Sequence, residues 1–313
     1  MRRTTLFTLK TPYREPMEIV GFEFGDPDGE EACAIVGSMR GNEVQQTYTC
    51  ARLVQQLRLD EAKVMPGKRI LVVPSVNPFS MNVSSRFWAL DHTDINRTFP
   101  GYDKGETTQR IAEGLFSAVS SFSLGIQLCS LYMPGEFVPH VRLTRAGEIT
   151  KESLALADGF GLPYVVINEP TPFDTTMLNY NWQVWSTNAF SLYGHTTEHV
   201  DEAGAVLMVA AIERFLATRG VLRLPVSDAV PPRTIEEAGL VAVRTEKAGG
   251  FLMRHAEAGD HVEAGQVLAE VVDALDAHVK ETLRAPVSGQ VFFCRTEPLV
   301  EQHIICFRIA ADE

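Results

Sequence analysis

Two short apolar runs on either side of one amphipathic stretch set the topology of the first third of this chain. Ala32-Cys-Ala-Ile-Val-Gly37 and Arg69-Ile-Leu-Val-Val-Pro74 are runs of buried-strand type. Between them, Asn42 to Leu59 carries Val44, Thr47, Tyr48, Ala51, Val54 and Leu57 at helical spacing. Strand, helix, strand in that order makes a βαβ unit and points to an α/β sheet containing parallel strands. The alternation continues. Gln109 to Ser120 reads as a helix, and Leu124 to Leu131 and Tyr164 to Ile167 read as strands. Asp201 is placed to cap a helix that ends near Gly220.

The pattern then breaks. Leu224-Pro-Val-Ser-Asp-Ala-Val-Pro-Pro-Arg233 is too proline-rich for a helix. Beyond it come short strand-like pieces punctuated by glycines: Leu240 to Thr245, Gly250 to Met253, Gln266 to Val272, Gly289 to Phe293 and Ile304 to Ile309. A chain of 313 residues has room for two domains at roughly 150 residues each. The expected division is a domain over 1–225, a linker over 226–235 and a small all-β module over 236–313.

Charge and cysteine content exclude several classes of function. Forty Asp and Glu against 28 Lys and Arg give a formal net charge of -12. That surface repels nucleic-acid backbones and anionic lipid unless a basic patch is present, and the densest basic spot is Arg2-Arg3. No nucleic acid and no membrane are expected as partners. No run approaches the roughly 18 apolar residues of a membrane span, and the N-terminus lacks the continuous apolar core of a signal peptide. Five cysteines, an odd number without CxxC spacing, fit reduced thiols and a cytoplasmic protein.

Three segments of the larger domain carry a resemblance. Gly37-Ser-Met-Arg-Gly-Asn-Glu-Val44 is similar to the Gly-x-His-Gly-Asn-Glu turn of the aspartoacylase/succinylglutamate desuccinylase family, relatives of the zinc carboxypeptidases. Val76-Asn-Pro-Phe, Ser85-Arg-Phe and Asp94-Ile-Asn-Arg-Thr-Phe-Pro-Gly101 resemble that family's Asn-Pro, Arg and Asp-Leu-Asn-Arg-x-Phe-Pro-Gly elements. Gln127-Leu-Cys-Ser and Phe137-Val-Pro-His-Val-Arg-Leu143 resemble its Asp-Leu-His-Thr and Leu-Pro-His-Val-Arg-Leu segments. The resemblance runs over residues ~20 to 225 and implies a mixed sheet flanked by helices, with hydrolysis of an amide joining an acyl group to an amino acid. The tail, from Gly249 to Ala269 and from Ala285 to Val291, resembles a biotinyl/lipoyl type of barrel-sandwich module. Its hairpin stretch Val272 to Lys280 lacks the lysine setting that a carrier domain requires, so a structural module is expected.

What the family resemblance implies about chemistry conflicts with the residues present. Such enzymes hold one zinc with a His and a Glu from the first segment and a His from the third, leaving a place for water, while a Glu acts as general base. At these positions the chain has Arg40, Glu43, Cys129 and, by an ungapped match of Ala189 to Gly194, Tyr193. A guanidinium has no lone pair for a metal. Arg40 beside Glu43 is expected to fill the zinc site as an ion pair.

The pocket around it is better preserved. The resemblance implies that Arg86, Asn96 and Arg97 line it, the Asn-Arg pair holding a substrate carboxylate and Arg86 lying near the scissile carbonyl, as suits planar arginine forks. The other reading of Arg97 is an ion pair with an acidic neighbour. Arg40, Arg86 and Arg97 together would make a positive island in an acidic protein. Trp182 and Trp185 either wall the pocket or simply pack.

Tyr193-Gly-His195-Thr-Thr-Glu198-His199 contains His-x-x-Glu-His, the inverted zinc-peptidase motif. Gly194 and two threonines place it in a loop or a first helical turn. A rewired site for zinc or another divalent metal would use Glu43, Cys129 and His195 or His199. Otherwise these histidines belong to a polar loop. Cys129 is either a small buried hydrophobe or, beside a cation, a nucleophile, and His140 is expected to make a structural hydrogen bond.

The leading expectation is therefore a divergent family member that has lost the standard zinc chemistry, holds either no metal or one divalent metal, and binds a small carboxylate-bearing ligand with lost or altered catalysis. The alternative is a working metal-dependent N-acyl amino acid hydrolase with the rewired site. A scaffold without ligand is the third reading, and a homo-oligomer is left open.

Overall fold

The structure is a computed structural model that describes residues 1–10, 15–130, 132–226, 229–247 and 249–312. Leu131, the expected end of one strand, and Ser227 and Asp228 of the expected linker lie outside the described residues. The chain divides into two compact units. The first comprises 1–130 and 140–233, and the second comprises 131–139 and 234–313. The boundary thus falls at Arg233, and nine residues from the middle of the chain group with the tail, which the sequence had not indicated.

The first unit is built on a mixed sheet. Its strands are β1 (Arg2–Leu9), β2 (Met17–Gly25), β3 (Glu30–Ser38), β4 (Lys68–Ser75), β5 (Leu124–Cys129), β7 (His140–Thr144), β8 (Tyr164–Asn168) and β9 (Asn188–Tyr193). They lie in the order β1-β2-β4-β3-β5-β9-β7-β8. The centre, β4-β3-β5-β9, is parallel, while β2 joins β4 and β7 joins β9 in the antiparallel sense. The expected βαβ unit is β3, helix α1 (Val44–Leu59) and β4.

Alternation along the strands sends side chains to two apolar layers. Ile35, Val72, Ile126 and Leu192 pack on one face with Cys50 and Leu53 of α1 and with Ile212 and Phe215 of a later helix, α6 (Glu202–Thr218). Ala34, Val36, Leu71 and Val73 face the other way, against Ile111 and Leu115 of α3 (Thr107–Val119) and Leu178 and Trp182 of α5 (Leu178–Val184). Short helices α2 (Pro78–Met81) and α4 (Lys151–Asp158) complete the unit. Trp182 is wholly buried and donates from Nε1 to the Val119 carbonyl, so it packs in the core. Its ring lies over Gly125, where an added Cβ would sit 2.8 Å from the indole. Trp185 is half-exposed, edge-on to Phe116.

The second unit takes β6 (Gly135–Phe137) from the middle of the chain. Strand β10 (Arg233–Glu236) straddles the boundary between the units. The rest are β11 (Val241–Arg244), β12 (Gly250–Arg254), β13 (His261–Val262), β14 (Val267–Val272), β15 (Val279–Arg284), β16 (Gly289–Arg295), β17 (Leu299–Val300) and β18 (Ile305–Ala311). One sheet runs β11-β18-β16-β13, with β6 also pairing with β16; the other runs β15-β14-β12-β17. Val262, Leu268, Val271, Val291, Phe307 and Ile309 fill the space between them. Lys280, the one lysine of the hairpin stretch, lies 3.4 Å from Asp273. Among the described residues no helix is long and apolar enough to cross a membrane.

Candidate functional site

Three parallel strands end close together. The turn after β3 carries Arg40 and Glu43, β5 ends at Cys129 and β9 ends at Tyr193. Carboxyl ends of parallel strands are where open α/β sheets collect ligands. Register fixes who faces whom. Cys129 is opposite Tyr193, and Tyr193 opposite His140; one step back, Gln127 is opposite Ser191, and Ser191 opposite Arg142. These six side chains share a face by the two-residue period of strands.

Glu43 stands at the cap position of α1, but its carboxylate turns back instead of capping the helix. Oε2 accepts from the amides of Met39 (2.8 Å) and Arg40 (3.0 Å), while Oε1 accepts from Arg40 Nη1 (2.9 Å) and from the Ser130 hydroxyl. Arg40 directs its other edge to Asp94. Nε lies 3.2 and 3.1 Å from the two carboxylate oxygens, and Nη2 lies 2.8 Å from Oδ2. Arg40 is 5% exposed and Glu43 1%. Burial by itself would lower the Arg40 pKa, yet the charges and hydrogen bonds of Glu43 and Asp94 outweigh it and hold the guanidinium above its ordinary value. One guanidinium between two carboxylates leaves this cluster net negative, so Arg40 supplies no positive island.

The turn geometry depends on Gly41. A Cβ there would lie 2.4 Å from the Ser80 carbonyl carbon and from the Ser85 carbonyl oxygen. That close approach brings the segment carrying Arg86 against the Arg40–Glu43 turn. Arg86 is partly exposed, its guanidinium 5.8 Å from the Phe87 ring centroid.

Asp94 also organises the segment behind it. Oδ1 accepts from the Asn96 amide at 3.1 Å and caps the short turn Ile95–Arg97. Asn96, 1% exposed, accepts from Gln127 Nε2 (3.2 Å) and from the Leu178 amide (3.3 Å). Arg97 points elsewhere: Nη1 donates to the Phe173 carbonyl and lies 3.3 Å from Asp174. The neighbouring Asn96 and Arg97 therefore serve different partners, a buried network and an acidic neighbour.

Cys129 is 4% exposed and its thiol is pushed up to about 12, first by burial and then by Glu43; Ser191, Arg40 and Arg142 pull the other way without prevailing. Tyr193 stacks on His140, with ring centroids 4.9 Å apart and planes within 2°. The Arg142 guanidinium lies 5.7 Å from the Tyr193 ring centroid, within cation–π range. His195, Glu198 and His199 lie in a non-helical loop ahead of α6, His195 partly buried and His199 exposed. Glu198 accepts from Asn42 at 2.7 Å. Asp201 occupies the cap position of α6 without a capping bond from its side chain.

This donor set does not fit the zinc that the family resemblance implies. Arg40 has no lone pair to give, and both Glu43 oxygens already accept two hydrogen bonds each. Among the described residues, the one group of three His, Cys, Asp or Glu with ligand atoms mutually within 4.8 Å is Asp273, Asp276 and His278, in the β14–β15 hairpin. Glu43, Cys129 and His195 form no such group. Sequence reasoning missed Asp94 as the second partner of Arg40, and it missed Arg142. Arg142 was within reach of a sequence argument, because it lies two residues from His140 and so shares its face.

The mixed sheet matches the fold of solved structures of the succinylglutamate desuccinylase/aspartoacylase group. The chain belongs to that family: residues 30–216 match the succinylglutamate desuccinylase/aspartoacylase catalytic domain. It is similar to N-alpha-acetyl-L-2,4-diaminobutyric acid deacetylase of Halomonas elongata, 23% identical over 255 residues, covering 78% of this chain and 72% of that protein. In fold it resembles a succinylglutamate desuccinylase from Silicibacter sp. TM1040 (TM-score 0.82, 17% identity, 100% of this chain and 95% of that one). The ectoine utilization protein EutE (DoeB) of Ruegeria pomeroyi, in a product-bound structure, is alike (TM-score 0.81, 18% identity, 99% and 95%). Family members are typically zinc-dependent deacylases.

Proposed function

We propose that this chain is a divergent, non-zinc member of its family that binds a small carboxylate-bearing ligand of the N-acyl amino acid class. The observation that carries this reading is the Arg40 guanidinium held between Glu43 and Asp94. With that cation in the turn, the residues at the family's zinc-carboxypeptidase-like positions neither bind the metal nor activate a water. Tyr193, at the position of the general base, is a buried phenol stacked on His140 and brings no carboxylate to the site. Carboxylate recognition falls to the two partly exposed arginines near the strand ends, Arg86 and Arg142. Planar guanidinium forks suit that task.

The test is calorimetric titration of untagged protein with Nα-acetyl-L-2,4-diaminobutyrate, N-succinylglutamate and an N-acyl aspartate, beside elemental analysis and a hydrolysis assay with and without added zinc. Binding without zinc and without turnover supports the reading. Zinc-dependent hydrolysis that is lost in Cys129→Ala and His195→Ala establishes the rewired hydrolase instead.

A further inference from the structure

We infer that the Arg40 guanidinium is the resident cation of this pocket, held by Glu43 and Asp94 in the place where a metal ion would have to sit. This rests on the reading that the family's zinc site is not assembled here, and it goes further by assigning the cation, its cage and its consequence.

Each side of the guanidinium meets an acceptor. Nη1 faces Glu43 Oε1, and Nε and Nη2 face Asp94. The cage around it is anionic and shared between two distant pieces of chain, 54 residues apart. Glu43 is fixed from behind by two backbone amides and a hydroxyl, so it stays aimed at the cation whatever the cation is. A buried carboxylate, Glu43, and a partly buried one, Asp94, converging on one point favour a cation by electrostatics. Here the chain provides the occupant, covalently and permanently, and an arginine cannot be lost by dissociation or deprotonation.

Arg40 is thus a positioning residue. It ties the β3–α1 turn to Asp94, Asp94 caps Asn96, and Asn96 holds Gln127 on the sheet and the Leu178 amide at the start of α5. The path runs from the strand ends to the opposite helical layer through hydrogen bonds alone.

The inference requires the cage to accept another cation once the guanidinium is gone, and to refuse one while it is present. The probes are zinc and guanidinium ions, added to the full-length untagged chain. Wild type and Cys129→His, which keeps Arg40, take up no stoichiometric zinc in calorimetry. The double variant Arg40→His, Cys129→His, folded by circular dichroism, gains one equivalent per chain. Arg40→Ala has a lowered melting temperature that low-millimolar guanidinium raises and equal sodium chloride does not.

Zinc uptake by Cys129→His equal to that of the double variant would overturn the inference, as would a folded double variant that takes up none. Should the double variant fail to fold, the Arg40→Ala arm decides, and an equal response to guanidinium and sodium chloride overturns it. No arm uses an acyl amino acid. Failure here leaves the ligand-binding reading standing, and failure of that reading leaves this result intact.

Discussion

Arg40 Nη1 lies 2.9 Å from Glu43 Oε1, between two side chains that water barely reaches. The pair closes the β3–α1 turn on itself, and Asp94 completes it from another segment.

Removing the cation leaves the buried Glu43 and the partly buried Asp94 without their counter-charge. Breaking a buried pair by deleting one partner costs about 3–5 kcal/mol. Arg40→Met, which keeps the volume and drops the charge, should lower the urea-unfolding free energy by roughly that amount. A loss below about 1 kcal/mol, the level of a surface ion pair, would mean the cluster is held by other contacts.

Asn96 joins the sheet to α5 through its side-chain oxygen. Asn96→Ala strands the Leu178 amide and the Gln127 amide group, and such orphaned buried donors cost about 1–3 kcal/mol each. The expected result is lower stability together with weaker ligand binding in calorimetry. Arg97→Ala, which touches only Asp174 and a carbonyl at a partly exposed site, should change stability little. Equal losses in the two variants would contradict this division of roles.

The Cys129 thiol ionises near 12 in the fold against an ordinary 9.0. Raised in the folded state, it keeps its proton after the unfolded chain has released its own. Its stabilising contribution is therefore complete below about pH 9 and declines as pH climbs towards about 12. Cys294 and Cys306, pushed up to about 11, act with the same sign. Urea titrations at pH 8 and pH 10 should show the decline, and Cys129→Ala should shrink it. A thiol reagent at pH 8 should leave Cys129 unmodified until urea is added; rapid labelling of the native protein would restore the case for a reactive thiolate.

Gly41→Ala drives a methyl group into the backbone of Ser80 and Ser85. Overpacking of this kind costs about 1–3 kcal/mol. Thermal melts should show the loss, and ligand affinity should fall with it because the Arg86 segment is displaced.

The sheet centre was legible because local signals sufficed. The helix between the apolar β3 and β4 runs was legible, but its inward face was not: of Val44, Thr47, Tyr48, Ala51, Val54 and Leu57 only Leu57 is buried, and the buried face is Gln45, Gln46, Thr49, Cys50, Leu53 and Leu57. Strand β1 was missed: Arg2-Arg-Thr-Thr-Leu-Phe-Thr-Leu is polar at its start, and mostly exposed or half-buried, as suits an edge strand. At the site, the pairing of Arg40 with Glu43 was readable because they stand three positions apart in one turn. Asp94 was not, since it is 54 residues away, and neither was Asp174 as the partner of Arg97, at 77. Ion pairs across such separations are set by the folded sheet, and nothing in a local window announces them. The loop placement of His195-Thr-Thr-Glu-His199 was readable from Gly194.

Strand β6 is taken from the middle of the chain, yet its partner β16 lies near the end. The C-terminal module is therefore not a cassette that gene fusion could move as one contiguous piece, because a cut at Arg233 leaves one of its strands behind. On the ribosome the same excursion must wait, its hydrogen-bonding edge unmet, until β16 has emerged. Splitting this protein into halves for expression would give each half a seam exposed for pairing with the wrong neighbour.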